Sequence, residues 1–334
     1  MKPLHPDEIL YGGEKGVPTL PVCEHIAGNE RLIRKAFALQ AERGPVFDIT
    51  CDCEDGAPAG GEIAHAEMVA QLIRSGENRY GMAGARIHGF DHPHWRQEVD
   101  ILIQGAGERL AYLTLPKPTS VDQVVAMTAY IRECAAQRGI ERTLPIHVLI
   151  ETHGALRDVW KIAELPEVEV IDFGLMDFVS AHLGAIPDDC MRSPGQFEHQ
   201  LLRRAKAEIV AAALANGCVP AHNVTLDLKN AAQTRSDALR AHREFGFLRM
   251  WSIYPTQIDA IIEAMRPPLG DVERAAHILL AAQDKKWAPI QYRGELQDRA
   301  SYRYYWQLLK KAHLTGAAIP EPARERFFSP PANQ

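Results

Sequence analysis

LPIHVLIETHGALRDVWKIAELPEVEVIDFGLMD, residues 144–177, contains two apolar runs on either side of a helical segment. Each run has the length of a buried strand, and the segment between them, from about Ala155 to Glu164, carries helical spacing. Glu151 closes the first run and Asp177 the second. A strand–helix–strand unit of this kind sets two parallel strands side by side and delivers an acid at the same end of each. In α/β folds the carboxyl ends of the strands are where chemistry is kept. Two hard oxygen ligands with few other donors nearby suit Mg²⁺, which keeps some waters and fills its shell from substrate.

The same alternation extends in both directions. LPVCEHI (20–26) reads as a first strand, and Asn29 as the N-cap of a helix that Gly44 closes. PVFDITCDCEDG is an alternating strand ending in Asp52, Glu54 and Asp55. A helix from about 61 to 75 leads to GARIHG, a short third strand with Arg86 near its end. The loop HGFDHPHW, a helix over 95–106, the strand LAYLTLPKP with Lys117 at its end, and a helix over 120–138 follow. Past Asp177 come an alanine-rich helix over about 198–216, a seventh strand in CVPAHNVTLD and an eighth in FLRMWSIYP. Eight strands alternating with helices predict a (β/α)8 TIM barrel over residues 19–266. Residues 1–18 are expected as an irregular arm. Residues 267–334 are expected as a helical lid and oligomerisation extension with a turn around Gly294 and a proline-rich tail.

Composition narrows the class. A hydrophobic fraction of 46% suffices for a sizeable core. The formal net charge of -6 gives no reason to expect nucleic acid as a partner. No apolar run reaches the roughly 18 residues that a bilayer span needs, and the N-terminus has no signal-peptide core. Cysteines 23, 51, 53, 134, 190 and 218 show no C-x-x-C spacing and read as free thiols of a cytoplasmic protein.

The acids Glu54, Asp55, Glu151 and Asp177 all fall at expected strand ends and so converge on one rim. Arg86 on that rim suits bidentate capture of a substrate carboxylate, or equally a salt bridge to one of the acids. Lys117 adds positive potential or simply caps its strand. Gly154 and Gly174 would let a ligand approach the backbone closely. His88, His92 and His94 have spacing that can chelate zinc, but an oxygen-rich pocket and a loop position favour ordinary surface histidines.

The ordered motifs DCEDG, ARIHG, LTLPK, VLIETHGAL, DFGLMDF, SIYPTQ and GELQDRASYR resemble those of the citrate lyase beta-subunit-like and malyl-CoA lyase family, within the HpcH/HpaI aldolase superfamily. The resemblance runs from about residue 20 to 312. It implies a TIM barrel, in a homotrimer or hexamer, that uses Mg²⁺ to make or cleave a carbon–carbon bond. By the same comparison Glu151 and Asp177 match metal ligands, and Arg86 the substrate-carboxylate arginine. Glu54 and Asp55 match the acidic motif that holds metal-bound water. Asp298 matches an aspartate that the C-terminal lid of an adjacent subunit supplies as acid/base; its local alternative is the N-cap of a helix beginning near Arg299.

The sequence also departs from the family pattern. The arginine–serine pair opening the first strand is absent from VPTLPVCEHIAGNE, Tyr254 stands where a histidine is expected, and GAPAGGEIAHAE lacks a lysine. Arg31, Arg34 and Lys35 remain as candidates for CoA phosphates, or else form a solvated helix face. The expected activity is cleavage or formation of a 3-hydroxy dicarboxylate or its CoA thioester. A malyl-type thioester hydrolase and a non-catalytic 2-oxo acid binding protein are the alternatives.

Overall fold

The computed structural model describes residues 4–11 and 17–329. Eight parallel strands close into a barrel: β1 (Cys23–Ala27), β2 (Asp48–Asp52), β3 (Ala83–Arg86), β4 (Leu113–Leu115), β5 (Ile146–Ile150), β6 (Val168–Phe173), β7 (Val219–His222) and β8 (Arg249–Ser252). Each strand pairs with the next, and β8 returns to β1 through Cys23↔Met250. The apolar core lies between the strands and the surrounding helices, as alternating inward and outward positions require. Capping follows the sequence closely. Asn29 accepts from the Leu32 N–H at 3.0 Å, Gly44 ends that helix at φ 85°, and Ser120 caps Val121–Gln137.

Local departures have local causes. The expected helix over 155–164 is two short ones, His153–Arg157 and Val159–Ala163, divided at Asp158. Asp158 pairs with Arg157 and accepts from the Val121 N–H at 3.1 Å instead of continuing the turn. The alanine-rich helix is likewise divided, into Gly195–Glu198 and Gln200–Ala215.

The strands carry a fully buried charged group as well as apolar packing. Arg249 on β8 bonds Asp48 on β2 at 2.5 Å and lies 3.2 Å from Glu24 on β1. Trp251 donates to Asp172 on β6 at 2.7 Å. Such groups are tolerable in a dry interior only because they face one another.

Two compact units divide the chain: Pro21–Met265, which holds the barrel, and Met1–Leu20 together with Arg266–Gln334. In the second unit the helices Leu269–Asp284 and Arg299–Leu314 share a core of Val272, Leu279, Tyr302, Trp306 and Phe327. The turn around Gly294 is a hairpin joining Ile290–Tyr292 to Glu295–Gln297. The N-terminal arm is not wholly irregular. Pro6–Leu10 is helical because Pro6 suits the first helical position and His5 with Glu8 forms a capping box. Leu10 packs into the shared core, and Arg303 donates to its carbonyl at 2.8 Å. The proline-rich tail contains the helix Glu321–Phe327; its last residues, 330–334, lie outside the described residues.

Candidate active site

At the carboxyl ends of the strands a cavity of about 440 Å³ is lined by, among others, Asp52, Arg86, Glu151, Asp177, Asn223 and Trp251. Glu151 directly follows β5 and is buried, at 2% exposure. Asp177 is not at the end of β6, as expected, but in the first turn of the helix Leu175–Ala181. The apolar Leu175 and Met176 prolong the look of a strand, but Gly174 already begins the turn into the helix.

Lys117 ties the acids together. Its backbone N–H donates to Glu151 Oε1 at 2.7 Å. Its ammonium donates to Glu54 Oε1 at 2.6 Å and Asp55 Oδ2 at 2.7 Å, and lies 3.8 Å from Asp177 Oδ1. Lys117 adopts φ 51° directly before Pro118, where extended backbone is the norm, so the site holds it in a conformation the local sequence disfavours.

Arg86 is buried and paired. Its Nε and Nη2 donate to the two Asp52 oxygens at 2.7 and 2.5 Å, and its Nη1 lies 3.1 Å from Glu54 Oε2. The fork expected to face a substrate carboxylate therefore meets Asp52, and Nη1 meets Glu54, although Arg86 still lines the cavity. Asp52 also accepts from the Glu54 and Gly56 N–H groups, which shapes the acidic turn. Despite burial, Arg86 and these two N–H groups hold its carboxyl below the usual range.

Burial, then Asp177 and Glu54, pushes the Glu151 carboxyl up to about 8, against the opposing pull of Arg86 and the Lys117 N–H. A carboxylate in this state is satisfied either by a proton or by a cation. Gly174 leaves room for it: a Cβ there would collide with Glu151 Oε2. The glycines thus accommodate the protein's own groups, since a Cβ at Gly154 would collide with the Thr119 carbonyl. The donor set is carboxylate oxygen around a buried acid whose charged form burial disfavours, and it fits a hard divalent ion.

Protonation of Glu151 makes a testable demand on stability. Between about pH 4.5 and 8 the folded chain keeps a proton that the unfolded chain has released, so stability is lost as pH rises through that window. The thermal midpoint of the metal-free chain, measured against Glu151→Gln, is expected to fall progressively from pH 5 to 8. A difference independent of pH would refute the buried-acid account.

Within the barrel unit, Arg31 and Lys35 do not join this cluster. Arg31 and Lys35 are exposed on the helix Glu30–Arg43; Leu32 of that helix lines the cavity, and they do not. Arg34 pairs with Glu30 and Glu77. Asp298 belongs to the second unit, where it caps the helix Arg299–Leu314 and accepts from the Ala300 N–H at 3.0 Å. Of the loop histidines, His88 is not an ordinary surface residue: it has a side-chain exposure of 16% and bonds the fully buried Glu98. All six cysteines are buried, and none is in a disulfide. Among the described residues no helix is long and apolar enough to cross a membrane.

Comparison with known proteins agrees with this architecture. The sequence model of the HpcH/HpaI aldolase/citrate lyase family matches residues 49–250. An L-malyl-CoA/beta-methylmalyl-CoA lyase of Rhodobacter capsulatus is 26% identical over 249 residues, 71% of this chain and 77% of that one. A citrate lyase subunit beta-like protein of Deinococcus radiodurans is 25% identical over 262 residues, 75% of this chain and 84% of that one. The crystal structure of a citrate lyase from Burkholderia xenovorans superposes with a TM-score of 0.84 at 51% identity, covering 97% of this chain and 100% of that one. CitE of Mycobacterium tuberculosis, solved with magnesium, acetoacetate and coenzyme A, shares the fold at a TM-score of 0.65 and 19% identity, covering 88% and 98%.

Proposed function

The chain belongs to the HpcH/HpaI aldolase/citrate lyase family of carbon–carbon lyases, and from that premise we propose that it cleaves or forms a 3-hydroxy dicarboxylate or its CoA thioester with a Mg²⁺ ion held by Glu151 and Asp177. The observation that carries the reading is the rim cluster: Glu151 and three further acids, all tied to Lys117, beside one cavity. Glu54 and Asp55 position water around the ion from the acidic turn. Bound there, Mg²⁺ would supply Lewis acidity toward the carbonyl of a 2-oxo acid.

The chain's own groups do the rest. Arg86, fixed by Asp52 and Glu54, places its positive charge on the cavity wall and would position the substrate carboxylate there. Asp298, from the lid of a neighbouring copy in a trimer or hexamer, exchanges the proton at the carbon that becomes the enolate. In the cleavage direction a carboxylate of the Glu54–Asp55 turn takes the hydroxyl proton, the carbon–carbon bond breaks to leave a 2-oxo acid and an enolate, and the enolate carbon takes the proton carried by protonated Asp298. Magnesium, acetoacetate and coenzyme A bound to the M. tuberculosis protein support the ion, an oxo acid and coenzyme A as ligand classes for this barrel.

Calorimetric titration of the Mg²⁺-loaded chain with glyoxylate, pyruvate and oxaloacetate, then with acetyl-CoA, tests the reading. Binding of an oxo acid only with Mg²⁺, together with CoA affinity, is the expected result; no binding of any would sink it. Lys117→Met gives a second test, because its ammonium, 3.8 Å from Asp177 and bonded to Glu54 and Asp55, competes with a divalent ion for the negative charge of the rim. Removing that charge should tighten Mg²⁺ binding by about tenfold, the ratio that roughly 1.4 kcal/mol of charge competition gives, and unchanged affinity would show that the ammonium does not share the ion's ligands.

A further inference from the structure

The loop between β3 and the helix Trp95–Ala106 has a second constellation that the carbon–carbon lyase chemistry does not use. Glu98 is fully buried on that helix, and among the described residues its carboxylate pairs only with His88. Glu98 Oε2 accepts from the His88 N–H at 2.8 Å, and Oε1 meets His88 Nδ1 at 2.5 Å. The His92 ring stacks on His88 with centroids 3.8 Å apart and planes 15° apart. One ligand atom from each of His88, His92 and Glu98 lies within 4.8 Å of the others.

A buried carboxylate with no lysine or arginine beside it needs a cation or a proton to offset its charge. Two imidazoles held against it by a short loop supply the nitrogen donors that hard ions such as Mg²⁺ do not require and that zinc-class ions prefer. From this geometry we infer that His88, His92 and Glu98 form a second metal site, distinct from the carboxylate rim, for a zinc-class divalent ion. Three protein ligands leave a fourth position for water. Binding replaces the proton shared by His88 and Glu98, and a small rotation of the stacked rings brings both imidazoles to the ion. The ion clamps residues 88–94 onto the helix that carries Glu98, two residues beyond Arg86, and so stiffens the strand end that holds the rim arginine.

The test uses the tag-free full chain saturated with Mg²⁺, titrated calorimetrically with Zn²⁺ and followed in parallel by Co²⁺ visible absorption. One equivalent of Zn²⁺ is expected to bind, with a four-coordinate Co²⁺ spectrum. His92→Gln, which leaves the His88–Glu98 bond and thus the fold in place, should weaken binding at least tenfold, whereas Glu151→Ala should leave it unchanged. No saturable binding to the Mg²⁺-loaded chain, or the same affinity in His92→Gln, would overturn the inference. Loss of binding in Glu151→Ala would also overturn it, by placing the ion at the rim.

Discussion

Glu151→Ala is expected to abolish Mg²⁺-dependent binding of 2-oxo acids while leaving the barrel folded. Glu151 is the most buried of the four rim acids and the one that only a proton or a cation satisfies. Replacing it removes a ligand oxygen and also removes the reason for a cation to enter. The loss should exceed the roughly 10- to 100-fold typical of changes in the outer shell of a metal site. The structural cost is bounded. The Lys117 N–H loses its acceptor, worth about 1–3 kcal/mol if left unpaired, and the neighbouring cavity gives water access to it. In the metal-free chain near pH 8 this loss is offset by deleting a carboxyl that burial disfavours in its charged form. Calorimetry with glyoxylate or oxaloacetate at fixed Mg²⁺, with circular dichroism on the same samples, separates the two effects. Retained, Mg²⁺-dependent binding in a folded variant would remove Glu151 from the metal site.

The strand ends were legible because each rim group closes an apolar run and local pattern carries that information. Glu54, Asp55, Arg86, Lys117 and Glu151 could all be placed this way. Asp177 was harder: Leu175 and Met176 look like more strand, and only the backbone turn at Gly174 shows that the acid rides on a helix. The Arg86–Asp52 pair depends on the register Asp52↔Arg86 between parallel strands, which no local spacing encodes. Lys117 at φ 51° contradicts what a residue before proline ordinarily does, so its contacts with all four acids could not be read from sequence. Glu98 lies on an amphipathic helix as one more charged residue. Its burial against His88 depends on where the β3 loop folds back.

On the proposed reading Asp298 has two roles, helix cap and acid/base, that one substitution cannot separate and two can. Its side chain accepts from Ala300 N–H, and the Ser301 hydroxyl donates back to the Asp298 carbonyl at 3.0 Å, so it closes the first turn of the helix Arg299–Leu314. Removing such a cap costs about 0.5–2 kcal/mol. Asp298→Ala should therefore lower the thermal midpoint by a few degrees and also eliminate turnover. Asp298→Asn is the discriminating variant. Asparagine caps as well as aspartate, so stability should match the parent, but an amide cannot exchange the proton at the reacting carbon. General acid–base groups contribute about 10²–10⁴-fold, and kcat should fall by that order while oxo-acid affinity holds, because Asp298 is outside the ligand set. A lid aspartate acting only as a cap would instead give Asp298→Asn full activity. The proton transfer would then have to be reassigned to a group on the barrel rim.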